Sequence, residues 1–113
     1  MRRDDAYLLD ILDAARLALQ YVSGTTLQDF LVDVKSQDAV IRRFIVIGEA
    51  ARRISPEVRD RHSHLPWSEM VSMRNLVVHE YDDIDLPILW DTATRDLPKL
   101  ISMLEEIGVS GSS

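Results

Sequence analysis

Ser36–Ile54 reads SQDAVIRRFIVIGEAARRI. Val40, Phe44, Ile47, Ala51 and Ile54 recur at i, i+4, i+7, i+11 and i+14, the spacing that aligns side chains on one face of a helix. The stretch therefore predicts one long helix. Ile41, Ile45 and Val46 fall off that stripe, among Arg42, Glu49 and Arg53. A helix that is apolar on more than one side is usually buried on more than one side. In a chain of 113 residues, the second burying surface can be a partner subunit.

The segments on either side read the same way. Asp4 or Asp5 can cap a first helix running to about Tyr21, with Leu8, Leu12, Ala15, Leu19 and Val22 on its apolar face and Asp10, Asp13, Arg16 and Gln20 opposite. Ser23-Gly24 ends it. Thr25 or Thr26 opens a short helix through about Val34, with Phe30 and Leu31 as core. After the long helix, Ser55-Pro56-Glu57 combines a capping serine, a proline at the first position and an acid in the first turn. The short helix it starts ends near His62.

Pro66 and Trp67 open the next helix, which runs to about Glu80, and Tyr81-Asp82-Asp83-Ile84 makes a turn. Asp85 caps a last helix with Trp90, Leu97, Leu100, Ile101, Leu104 and Ile107 on its apolar side. Pro98 falls inside it and predicts a kink, because proline removes a helical hydrogen bond. Gly108 stops it. No segment reads as a strand or a linker. Short connections favour antiparallel neighbours. The expected fold is all-α: an up-down antiparallel helical bundle of four to five main helices plus short ones. One domain, residues 1–109, is followed by a disordered tail, residues 110–113.

Composition narrows the function. With no cysteine, disulfides and thiolate metal sites are out. No apolar run approaches a membrane span, and the N-terminus turns acidic at once, so the expectation is a cytoplasmic protein without a membrane partner. A net charge of −6 argues against binding nucleic acid through overall charge. Its distribution is uneven. Arg42, Arg43, Arg52, Arg53, Arg59 and Arg61 cluster in the middle of the chain, whereas Glu80 to Asp96 holds six acids and one arginine.

The chemistry-bearing stretch is Met73-Arg74-Asn75-Leu76-Val77-Val78-His79-Glu80-Tyr81. Arginine and histidine within an apolar helical pattern are costly to bury unless paired, which makes them site candidates. Arginine presents a permanently charged fork of donors to phosphate, and histidine exchanges protons near neutral pH. Together they suit metal-independent RNA cleavage, in which a base deprotonates a ribose 2′-hydroxyl and a cation stabilises the anionic transition state.

On a regular helix Arg74 and His79 stand about 140° apart. Their convergence needs a long arginine reach, a distorted last turn, or a symmetry-related copy. Asn75 does share a face with His79. On spacing alone the structural reading is favoured: Arg74 pairs with Glu49 or Asp82, His79 closes a helix end, and Tyr81 packs. Glu49 could orient Arg74 or His79, or pair with Arg53. His62 and His64 read as solvent-exposed, and with His79 they have no metal spacing. Trp67 and Trp90 read as core anchors.

The Arg-x4-His-x-Tyr pattern, the Ile45-Val46-Ile47-Gly48-Glu49-Ala50 block and Leu65-Pro66-Trp67 ahead of the motif helix together resemble the HepT-like toxin family of the HEPN superfamily, the HepT/MntA type VII toxin–antitoxin systems. The resemblance runs from about Asp4 to Ile107. It implies a HEPN-like helical domain and a homodimer with the motif lining a cleft at its interface. It also implies a metal-independent endoribonuclease toxin acting on tRNA or mRNA, with Arg74 and His79 catalytic, Asn75 and Glu49 supporting, and no cofactor. The implied partner is a cognate MntA-like nucleotidyltransferase antitoxin that adds AMP to Tyr81. A non-catalytic nucleotide- or substrate-binding subunit of a minimal nucleotidyltransferase is the alternative, and a purely structural dimerisation module is a third.

Overall fold

A computed structural model of the chain describes residues 3–78 and 84–109, the side chains of Leu76 and Val78 left aside. The described residues are helical, with no strand among them. The helices are α1 (Arg3–Val22), α2 (Leu27–Val32), α3 (Val34–Arg53), α4 (Pro56–Arg61), α5 (Trp67–Val78), α6 (Leu86–Asp91) and α7 (Leu97–Glu106), with a π-helical turn, Thr92–Asp96, between the last two. The expected tail, residues 110–113, lies outside the described residues, as does the expected turn up to Asp83.

Helix α3 is the central element, packed between α1 on one side and α5 on the other. The predicted stripe is its core face: Val40, Phe44, Ile47, Ala51 and Ile54 are all buried. They meet Ile11, Leu12, Ala15 and Ala18 of α1, Met70 and Val77 of α5, and Leu97, Leu100 and Leu104 of α7 in one core. The direction of packing follows from contacts between ends. Ser55, just beyond α3, donates its backbone N–H to the Asp4 carboxylate near the start of α1 at 2.9 Å, and its hydroxyl to the same carboxylate at 2.8 Å. The start of α1 thus lies beside the end of α3, and the two helices run antiparallel.

Local chemistry explains the helix ends. Thr26 and Asp29 form a reciprocal capping box at α2. Asp33 both closes α2 and opens α3, so Val34 belongs to the long helix and not to the short one, and the long helix starts two residues before Ser36. The Ser36 hydroxyl and backbone N–H both donate to Asp33 and hold its carboxyl below the usual carboxylate range. Asp4, expected as a cap, lies within the first turn of α1 and is turned to Ser55 instead. Leu31 is only half-buried; Phe30 alone of that helix enters the core, against Trp90 with ring centroids 5.5 Å apart.

Pro98 acts differently from the expected kink. It sits in the first turn of α7, and the break lies upstream, where the Leu97 N–H donates to the Thr92 carbonyl five residues back. A proline ring crowds the carbonyl four residues before it and offers no N–H. The wider π turn lets the chain pass that position and restart as an α-helix.

Candidate active site

The α3–α5 contact is set by a missing side chain. A Cβ placed on Gly48 would lie 2.8 Å from the Arg74 backbone nitrogen and 3.0 Å from its Cα, closer still to its Cβ. Glycine is what lets the two backbones meet there. Gly48 and Arg74 are both in the C-terminal halves of their helices, while Arg59, which reaches the end of α3, lies over Trp67 at the start of α5. Helix α5 thus also runs antiparallel to α3.

One residue on from Gly48, Glu49 faces the same arginine, its Oε2 3.9 Å from Arg74 Nε. That separation is too long for a hydrogen bond, and Arg74 Nε is buried with no hydrogen-bond partner. The contact is electrostatic. The Arg74 side chain is 32% exposed and that of Glu49 40%, so the arginine is anchored at its base while part of its surface stays open to solvent. An arginine held this way can present donors to an oxyanion with its stem already fixed.

Of the residues singled out in the sequence, the structure brings Arg74 and Glu49 together, and Glu49 takes Arg74 as its partner, with no ion pair to Arg53. Asn75 is exposed on α5. His79, Tyr81 and Asp82 lie outside the described residues. His62 is half-buried, contrary to the exposed position expected of it, and its carbonyl accepts the Trp67 indole N–H at 3.0 Å; His64 is exposed. Trp67 and Trp90 are partly buried and pack against the core, as anchors.

Arg59 was missed as a structural residue. Its guanidinium donates to the Ala51 and Arg52 carbonyls at 2.7 and 3.0 Å, closing the end of α3, and lies 5.9 Å from the centre of the Trp67 ring. A cation near carbonyls that a helix end leaves unpaired was the available signal. Gly48 was read only as part of a block. A lone glycine inside a strong helical pattern signals close backbone approach, and here that approach sets the site.

Among the described residues no helix is long and apolar enough to cross a membrane. The family model described as "Ribonuclease HepT-like" matches residues 11–107. The chain is 38% identical to "Probable ribonuclease HepT" of Thermococcus cleftensis, over 89% of this chain and 92% of that one. It is 33% identical to a "Putative RNase" of Caldanaerobacter subterraneus, over 95% and 96% of the two chains. It is also 37% identical to a "Gamma-glutamylcyclotransferase and putative RNase" of Methanocaldococcus jannaschii, over 95% of this chain but only 50% of that protein, so it spans about half of that relative's length. No solved structure is significantly similar to it. With nearly the whole chain matched by the family model and by relatives above 30% identity, the protein belongs to the ribonuclease HepT-like family.

Proposed function

We propose that the protein is the toxin of a toxin–antitoxin pair, an endoribonuclease that cuts RNA without a metal ion. The observation that carries this reading is Arg74, fixed at its base by Gly48 and Glu49 and partly exposed beyond it. The names of the relatives, "Probable ribonuclease HepT" and "Putative RNase", support the substrate class. In the proposed reaction His79 takes the proton of a ribose 2′-hydroxyl, and the freed oxygen attacks the adjacent phosphorus. The bond to the 5′-oxygen breaks and that oxygen leaves with a proton, giving a 2′,3′-cyclic phosphate and a 5′-hydroxyl. Arg74 stabilises the charge on the non-bridging oxygens, and Asn75 is a further donor beside it.

The active form is proposed to be a homodimer. Ile41 and Ile45 of α3 are half-buried and border an open hollow with Ile84 and Leu86, which Gln37, Asp38 and Arg42 also line; its apolar part is surface of the kind a second copy covers. Control is proposed through Tyr81. A nucleotidyltransferase antitoxin would transfer AMP from a nucleoside triphosphate to its hydroxyl, releasing pyrophosphate. The added phosphate, two residues from His79 in sequence, would compete with RNA for Arg74.

The test is cleavage of total RNA in EDTA by wild type, Arg74→Ala and His79→Ala, from protein shown by intact mass to be unmodified. Loss of cleavage in both variants, with cyclic-phosphate ends in the wild-type products, supports the reading. Cleavage that persists in His79→Ala overturns the mechanism. No cleavage by wild type overturns the enzyme and leaves a non-catalytic partner of a nucleotidyltransferase.

A further inference from the structure

A chain with a net charge of −6 cannot hold RNA through its overall charge, so affinity for a phosphate backbone must come from a local array of cations. Helix α3 carries one. Arg42, Glu49 and Arg53 recur at i, i+7 and i+11 within Val34–Arg53, which places them within about 40° of one another around the helix. Both arginines are exposed. Neither makes an ion pair with any described residue, although Asp38 stands one turn before Arg42 and Asp10 borders the same hollow as Arg53.

Between the two, Glu49 holds Arg74 from the neighbouring helix. Along the axis of α3 the cations therefore come in the order Arg42, Arg74 and Arg53, with Arg74 reaching Glu49 from the α5 side. At 1.5 Å per residue the line from Arg42 to Arg53 is about 16 Å long, a span that matches a few nucleotides of extended single-stranded RNA. Arg42 and Arg53 lie about 20–40° further round the helix than Glu49, on the side away from Gly48 and α5. Arg53 is thus set off from Ile41 and Ile45, whereas Arg42 borders the same hollow as they do, so the line starts beside the surface assigned above to the second copy. Arg53 and Glu49 also border a hollow of about 130 Å³ with Tyr7 and Asp10 of α1, so the line ends in a recess at Arg53.

We infer that Arg42 and Arg53 bind RNA phosphates on either side of the one at Arg74, and so hold a single strand along α3 with its scissile bond at the arginine. The inference rests on the ribonuclease reading, but its binding can be tested apart from cleavage. The probe is a fluorescent single-stranded RNA with 2′-O-methyl groups throughout, which cannot be cut, titrated with the full chain across a salt series. For a single strand, each phosphate that a protein cation no longer neutralises lowers the slope of log affinity against log salt by about 0.7.

Arg42→Gln and Arg53→Gln should each lower that slope by about this amount, and the double variant by about twice it. Arg42→Lys and Arg53→Lys should keep it. Arg61→Gln, at an exposed arginine on α4, should leave it unchanged. On a cleavable RNA, the glutamine variants should lose kcat/KM while retaining kcat at saturating RNA. An unchanged slope in the double variant, or an equal fall in Arg61→Gln, overturns the proposal and leaves the ribonuclease standing. The expected slopes without any cleavage by wild type would uphold the RNA track and remove the enzyme. A wild type that does not bind RNA overturns both.

Discussion

Gly48 and Arg74 touch backbone to backbone: a single added methyl group on Gly48 would meet the Arg74 backbone nitrogen at 2.8 Å and its Cα at 3.0 Å. Inside a helix, glycine to alanine ordinarily gains about 1 kcal/mol of helix propensity. Here the atoms met include backbone, which cannot swing aside, and overpacking of this kind costs about 1–3 kcal/mol. Gly48→Ala is therefore expected to be destabilising, with α5 pushed off α3 at Arg74. Urea denaturation reads the sign directly. A variant more stable than wild type would mean the helices are not in contact at this point.

On the proposed mechanism, Arg74 separates function from stability. Its ion pair with Glu49 is long and partly exposed, and exposed pairs contribute about 0–1 kcal/mol. Arg74→Ala should shift the unfolding free energy by no more than that. RNA cleavage should nevertheless fall by about 10²–10³-fold, the usual effect of removing a group that stabilises transition-state charge. Arg74→Lys keeps the charge but loses the planar fork, and should recover only part of the rate. Equal activity in wild type and Arg74→Ala at the same RNA concentration would remove this arginine from the chemistry.

The helices were legible in the sequence because their signals are local. The Val40–Phe44–Ile47–Ala51 spacing and the caps at Thr26, Ser55 and Asp85 each depend on a few neighbouring residues, and the structure has those caps. What was not legible depends on residues far apart in the chain. Asp4 read as a cap because nothing in its neighbourhood names Ser55, 51 residues away. Pro98 announced a disturbance but not where the ladder would absorb it, since the π turn lies upstream at Thr92–Asp96.

The same division applies to the site. Arg74 stood out by its chemistry, and Glu49 was one of two partners open to it. The choice of Arg74 over Arg53 as Glu49's partner was fixed by Gly48 bringing α5 onto α3, a tertiary contact.

Arg59 closes a helix from outside it. Its guanidinium donates to two α3 carbonyls at 2.7 and 3.0 Å and lies over the Trp67 ring. Arg59→Ala leaves those carbonyls to solvent and removes a cation–π contact. Charged hydrogen bonds of this type contribute about 1.5–3 kcal/mol where partly buried, so a loss of about 2 kcal/mol is expected. Both bonds come from one guanidinium nitrogen, so Arg59→Lys keeps a charged donor but loses the planar group over the Trp67 ring; it should recover part of the loss. Thermal unfolding of the three proteins side by side checks the order.

Asp4 ties the two ends of the antiparallel α1–α3 pair by accepting both the N–H and the hydroxyl of Ser55. That hydroxyl in turn accepts from the Val58 N–H at 3.4 Å as the cap of α4. One carboxylate therefore holds the start of α1, the end of α3 and the start of α4 in register. Asp4→Ala should cost about 1.5–3 kcal/mol, the range for losing charged hydrogen bonds in a partly buried place. Asp5, exposed one residue on, should tolerate alanine within about 0.5 kcal/mol. Ser55→Ala removes the same hydroxyl, so the double variant Asp4→Ala/Ser55→Ala should lose less than the sum of the two singles, as partners in one network do. Chemical denaturation of the four proteins measures the coupling. Strict additivity would mean that Asp4 and Ser55 stabilise the fold independently and that the observed bonds do not join the helices.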